Sequence, residues 1–238
     1  MGLGTWPRLA LGAALVLICA AVAAFDPVAL GLPGVSDSGS NFSDVAWRLG
    51  RWFYIPAAFF WLFVVPLWLR QRWSLPKSSL GLSIGLLLIL PTWLALVQLR
   101  QAGALALVAI MATVWVADIA AYAFGRTLGR HKLAPNISPG KTWEGALGGG
   151  LAVIVYGFIL SPKLPAVLSE HYALLFLVLA LLTAISIAGD LFESLLKRQA
   201  GLKDSSNVLP GHGGVLDRID SLTSTLPMVA LVWLTALN

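Results

Sequence analysis

Seven stretches of this chain, at about 8–25, 52–69, 80–98, 104–124, 145–161, 172–189 and 219–237, are apolar over nearly their whole length. A helix needs about 20 such residues to cross the hydrocarbon core of a bilayer. The expected fold class is therefore all-α: a polytopic integral membrane helix bundle of about seven transmembrane helices. Composition agrees. Of the residues, 58% are hydrophobic and 11% charged, against roughly 25% charged in an average soluble domain, and the mean hydropathy is +0.83. A disordered chain, a secreted disulfide scaffold and an ordinary soluble enzyme are excluded. Cys19 is the single cysteine, so neither an intramolecular disulfide nor a multi-cysteine zinc site is available.

Alternate connections lie on opposite faces of the membrane. One face receives the N-terminus and the loops 70–79, 125–144 and 190–218. It carries Arg8, Arg70, Arg72, Lys77, Arg126, Arg130, Lys132, Lys141, Lys197, Arg198, Lys203 and Arg218. The other face carries Arg48, Arg51, Arg100 and Lys163. Twelve basic residues against four make the first face cytoplasmic. The basic balance is thus a matter of topology, and no nucleic-acid partner is expected. Arg8, a short apolar core and Ala21-Val22-Ala23 also suit a cleaved leader, but the run to Phe25 is long enough to span. Gly81…Gly85 and Gly145…Gly149 have the spacing that lets helices approach closely.

Topology does not explain the acids. Asp26, Asp37, Asp44 and Glu170 fall on the outer face, whereas Asp118, Glu144, Asp190, Glu193, Asp204, Asp217 and Asp220 fall in or beside the cytoplasmic loops. Asp118 lies well inside an apolar run, where a carboxylate costs several kcal/mol unless paired or bound to a cation. Past Asp190 the sixth helix is expected to continue to a C-cap at Gly201, with Asp190, Glu193, Ser194 and Lys197 on one face at i, i+3, i+4 and i+7. A solvated helix end with a Glu193–Lys197 pair would account for two of these residues, but not for Asp190. Gly211, Gly213 and Gly214 free the backbone to offer N–H groups to an anion, and His212 between them could donate to a phosphate. Asp217 and Asp220 open the last helix at i, i+3, so both can face one site. Hard oxygen donors with few histidines point to Mg²⁺. Carboxylates and bases gathered together suit phosphoryl or nucleotidyl transfer, here between a soluble nucleotide and a lipid phosphate.

The ordered pattern Ser194-x2-Lys197-Arg198-x4-Lys203-Asp204-x5-Pro210-x-His212-Gly213-Gly214-x2-Asp217-Arg218-x-Asp220 resembles the signature of the phosphatidate cytidylyltransferases, or CDP-diacylglycerol synthases. A second block agrees: Asp118-x2-Ala121-Tyr122-x2-Gly125-x3-Gly129-Arg130-His131-Lys132-Leu133, then Ser138-Pro139-Gly140-Lys141-Thr142-Trp143-Glu144-Gly145. The likeness covers roughly 100–238. It implies two parts: 1–99, with three spans and a polar loop at 26–51, and a catalytic membrane part, 100–238, with four spans carrying loops 125–144 and 190–218. Bacterial members often have one or two further N-terminal spans.

The resemblance implies that CTP and phosphatidic acid give CDP-diacylglycerol and pyrophosphate with Mg²⁺ and a monovalent cation such as K⁺. The enzyme would be a homodimer in the bacterial cytoplasmic (inner) membrane with its site facing the cytoplasm. It also implies that Asp190 and Asp217 hold the metal, with Asp118 and Asp204 in support. Lys141, Lys197, Arg198, Lys203 and Arg218 would bind the triphosphate, the lipid phosphate or both, and Ser194, His212, Gly213 and Gly214 would contact substrate. Rival readings are another lipid-phosphate nucleotidyltransferase, a polyprenol kinase or, in a different class, a cation channel or transporter.

Overall fold

The computed structural model describes residues 12–17, 19–20, 41–76, 79–206 and 213–236. Of the first expected span, 8–25, only 12–17 and 19–20 fall among them, and these are helical. Six described helices are long and apolar enough to cross a membrane: Gly50–Gln71, Ser79–Ala102, Ala104–Leu128, Trp143–Lys163, Tyr172–Gln199 and Leu216–Ala236. The protein is a polytopic integral membrane bundle.

The elements are α1 (Asn41–Phe59), α2 (Val65–Gln71), α3 (Ser79–Leu99), α4 (Ala104–Leu128), β1 (Lys132–Ala134), β2 (Ser138–Thr142), α5 (Trp143–Leu160), α6 (Ala166–Ser169), α7 (Tyr172–Gln199) and α8 (Leu216–Ala236). A π turn over Phe60–Val64 joins α1 to α2. Pro66 follows it; proline has no N–H for the carbonyl four residues back, and a wider turn absorbs the lost bond.

The central helix is α8. Its polar face is buried: Ser221, Thr223, Ser224 and Thr225 are almost fully covered. In a bilayer such hydroxyls serve as bonds to the same or neighbouring helices. Ser224 Oγ donates to the Ile185 carbonyl of α7 at 3.0 Å, and Thr92 Oγ1 of α3 donates to the Thr223 carbonyl at 3.1 Å. A Cβ on Gly189 would clash with Ser224 Oγ, so glycine sets the close approach of α7 to α8 just before Asp190. On the other side, Phe60, Trp61 and Trp68 meet Phe192 of α7 edge to face, with ring centroids 5.8, 5.8 and 5.5 Å apart. These contacts hold one face of α7 against the π turn and α2.

Helices α4 and α5 pack through small residues. A Cβ on Gly145 would lie 2.7 Å from the Ala121 carbonyl oxygen, and one on Gly149 would lie 2.9 Å from that of Ala117. The Gly145…Gly149 expectation is met. The Gly81…Gly85 expectation is not: Gly81 abuts the Pro76 carbonyl and Gly85 faces open space.

Loop 125–144 contains structure that the all-α reading lacks. Strands β1 and β2 pair antiparallel, Lys132 opposite Thr142 and Ala134 opposite Ser138. Ile137, in the turn between them, is buried in the same core cluster as Phe192 and Leu195 of α7. Thr142 caps α5, its Oγ1 accepting from Gly145 N–H at 3.1 Å. Glu144 reaches back to His131 Nδ1 at 2.6 Å and accepts from its backbone N–H at 3.2 Å. These bonds close the hairpin onto the helix start. Helix α7 runs on to Gln199 and ends as the sequence suggests. Gly201 has φ +71°, and its N–H and that of Leu202 donate to Arg198 O (3.1 Å) and Lys197 O (2.9 Å), the Schellman pattern. The end of α4, the hairpin, the start of α5, the end of α7 and the start of α8 therefore meet at one end of the bundle.

Candidate active site

At that end a cavity of about 440 Å³ opens between α4, β2, α5 and α7. Its polar wall is built by Asp118, Tyr122, Arg126, Lys141, Ser186 and Asp190. Asp118, Tyr122 and Arg126 stand at i, i+4 and i+8, and this repeat turns all three to one face of α4. Arg126 Nη1 donates to Tyr122 Oη at 3.0 Å. The hairpin delivers Lys141, whose ammonium forms an ion pair with Asp190 Oδ2. Asp190 Oδ1 accepts from Ser194 Oγ at 3.3 Å. Asp118 is exposed to the cavity and feels the charges of Asp190, Asp220 and Lys141. Its place inside an apolar run is thus explained: it faces a polar recess, not lipid.

A second cluster lies where α7 meets the start of α8. Lys197 Nζ is 2.6 Å from Asp217 Oδ1 and 2.9 Å from Glu193 Oε2. Asp217 Oδ2 accepts from Ser205 N–H and Oγ, both at 2.8 Å, and from Gly214 N–H at 2.7 Å. Four donors thus converge on one carboxylate. Gly213 has φ +78°, a conformation favouring glycine, and any Cβ there would lie 2.8 Å from Asp217 Oδ2. The expectation was that these glycines would present N–H groups to a phosphate. In the structure the Gly214 N–H is bonded to Asp217 instead.

The two clusters are linked by Asp220, which feels Asp190 and Lys141 on one side and Lys197 on the other. Of the residues expected from the sequence, Asp118, Lys141 and Asp190 come together in the cavity, with Ser194 behind Asp190. Lys197, Gly213, Gly214 and Asp217 form the second cluster. Asp204 is exposed beside Gly213, and a Gly213 Cβ would lie 3.5 Å from its own. Arg198, Lys203 and Arg218 are exposed around this cluster. His212 lies outside the described residues. Asp220, expected from its i, i+3 spacing to share a site with Asp217, stands between the clusters. Tyr122 and Ser205 were given no site role from sequence. The i, i+4 spacing from Asp118 could have identified Tyr122; nothing local marks Ser205.

Five carboxylates (Asp118, Asp190, Glu193, Asp217, Asp220) stand with the bases Lys141, Lys197 and Arg126 across these clusters. Their hard oxygens are donors of the kind that could hold a divalent cation. Among the described residues no three Asp, Glu, His or Cys side chains form a ready cage. Mg²⁺ commonly takes one or two carboxylates and completes its shell with water and substrate phosphate oxygens. Asp190 can serve once Lys141 swings away; Asp217 would first have to release Lys197.

Residues 10–236 match the model of the cytidylyltransferase family. The phosphatidate cytidylyltransferase of Pseudomonas aeruginosa is 51% identical over 156 residues, 64% of this chain and 57% of that protein. That of Haemophilus influenzae is 47% identical over 127 residues, 52% of this chain and 44% of that protein. The uncharacterized protein YnbB of Escherichia coli is 43% identical over 129 residues, 54% and 42% of the two chains. The chain spans about half the length of the curated relatives it matches. With a match that runs nearly end to end, the chain belongs to the cytidylyltransferase family.

Proposed function

We propose that this protein transfers the cytidylyl group of CTP to phosphatidic acid, giving CDP-diacylglycerol and pyrophosphate, in the bacterial cytoplasmic membrane. The observation that carries this reading is the cavity itself: a recess in the wall of a membrane bundle lined by two carboxylates, Asp118 and Asp190, and two bases, Lys141 and Arg126.

A phosphate oxygen of phosphatidic acid attacks the α-phosphorus of CTP in line. The new O–P bond forms as the bond from the α-phosphorus to the bridging oxygen breaks, and pyrophosphate leaves with the electron pair. The attacking oxygen is already ionised near neutral pH, so the site must chiefly position two anions and neutralise their charge. Lys141 and Arg126, on the cavity wall, hold the lipid phosphate. Lys197, Arg198, Lys203 and Arg218 draw in the triphosphate and steady the leaving pyrophosphate. Asp217 fixes Lys197 and the loop. Ser194 orients Asp190. His212 and the Gly213–Gly214 turn close over the nucleotide, with Asp204 beside them. Asp190 would hold Mg²⁺ with Asp118, or with Asp217 once Lys197 is released, and the ion would supply charge neutralisation; K⁺ is the proposed monovalent companion. A homodimer is the proposed assembly.

The test is direct. Purified protein should release pyrophosphate from CTP only when phosphatidic acid is added. A polyprenol kinase would instead release CDP, and release without lipid would defeat the proposal. Orientation is checked separately: in a Cys19→Ser background, Ser206→Cys should resist an impermeant maleimide applied to intact cells. Efficient labelling there would place the site on the outer face.

A further inference from the structure

A second cavity of about 570 Å³ lies toward the opposite end of the same helices, between α4, α5, α7 and α8. Its wall is mostly hydrocarbon: Ala106, Ala109, Leu160, Leu179 and Val232 are typical, and Lys163 is the one charged residue in the lining. The hydroxyls in it are already bonded, Tyr156 Oη to the Ala109 carbonyl at 3.0 Å and Thr113 Oγ1 to the same oxygen at 3.3 Å. Apolar cavities without polar partners do not hold ordered water, so away from Lys163 the occupant is apolar. A narrow gap of about 20 Å³ stands between the two cavities. It shares Ala117, Thr183 and Ser186 with the polar one and Thr113, Leu182 and Val229 with the apolar one. The three spaces thus form one series along α4. From Ala117 to Ala106 the helix rises about 16 Å, close to half of the roughly 30 Å hydrocarbon core, so the apolar cavity occupies the half of the bundle away from Lys141.

We infer that the apolar cavity receives an acyl chain of the lipid whose phosphate sits at Lys141, and that the Ala106–Ala109 wall sets the chain length accepted. The inference rests on the proposed lipid substrate. Small side chains at Ala106 and Ala109 leave the room; a bulky one would fill the far end without touching the polar site.

The experiment compares dihexanoyl and dipalmitoyl phosphatidic acid as substrates for the full chain and for Ala106→Phe, with Ile159→Phe on the outer face of α5 as control. Ala106→Phe should keep dihexanoyl turnover and lose at least tenfold in kcat/KM for dipalmitoyl, while Ile159→Phe changes neither. Retained short-chain turnover shows that the variant is folded. Equal effects on both lipids, or none, would overturn the inference. A second readout needs no turnover: phosphatidic acid with a diazirine at its chain end should crosslink within 104–128 in the unaltered protein and much less in Ala106→Phe. If the unaltered protein were inactive on both lipids, the substrate reading would fail and this crosslink alone would decide. Crosslinking equal in the two proteins would overturn the inference. So would crosslinking that required Lys163 but not Lys141, since it would identify a lipid of the opposite leaflet.

Discussion

Asp190→Asn is expected to slow pyrophosphate release at least about 100-fold, or roughly 2.7 kcal/mol of transition-state stabilisation, without reducing the amount of folded protein. Asn keeps the shape and can still accept from Ser194 Oγ, now 3.3 Å from Oδ1. What disappears is the charge that holds Lys141 and that a divalent cation would need. The side chain is half-buried in a polar recess, so no apolar packing is disturbed. Detergent-solubilised variant should elute as the unaltered protein does, with only the rate lowered. A rate within threefold of normal would remove Asp190 from the site. Lys141→Ala combined with Asp190→Asn should cost less than the sum of the two, because each change already breaks their shared pair.

Asp217→Asn should be as severe for the rate but should also loosen the loop. Its two oxygens receive Lys197 on one side and Ser205 and Gly214 on the other. An amide offers one oxygen. In either orientation its NH₂ points at a group that also donates, and hydrogen bonds to a charged partner are worth about 1.5–3 kcal/mol each. Lys197 keeps Glu193 at 2.9 Å and so stays on α7, while Ser205 and Gly214 lose their anchor. Trypsin should then cut at Lys203 faster in Asp217→Asn than in Asp190→Asn. Equal cleavage would show that Asp217 does not organise the loop, and near-normal turnover would show that it does not serve the reaction.

The difference between these two aspartates was not legible in the sequence, where both read as metal ligands. Helical spacing tells which residues share a face of one helix, and it correctly placed Asp190, Ser194 and Lys197 along α7. It says nothing about the angle at which α7 meets α8. That angle depends on Gly189 resting against Ser224 and on the aromatic contacts at Phe192. Asp217 is consequently tied to Lys197, while Asp190, Asp118 and Asp220 feel one another's charge. The β1–β2 hairpin was hidden for a similar reason. Lys132–Thr142 has no clean alternation of apolar and polar residues, and its strands owe their place to Ile137 buried beside α7 and to Glu144 bound back to His131.

By itself the sequence determined that the chain crosses a membrane repeatedly, which loops share a face, and that acids and bases of one signature crowd that face. Each follows from a local property: the length of an apolar run against the thickness of lipid, the parity of crossings, and the composition of a loop. Tertiary structure decided which carboxylate meets which ammonium, that the Gly214 N–H serves Asp217 rather than an outside anion, and that a separate apolar cavity lies farther along α4 from the polar one. Those depend on how closely helices approach. Glycines with no room for a Cβ set that distance, and a residue's neighbours in sequence do not reveal what will press against it.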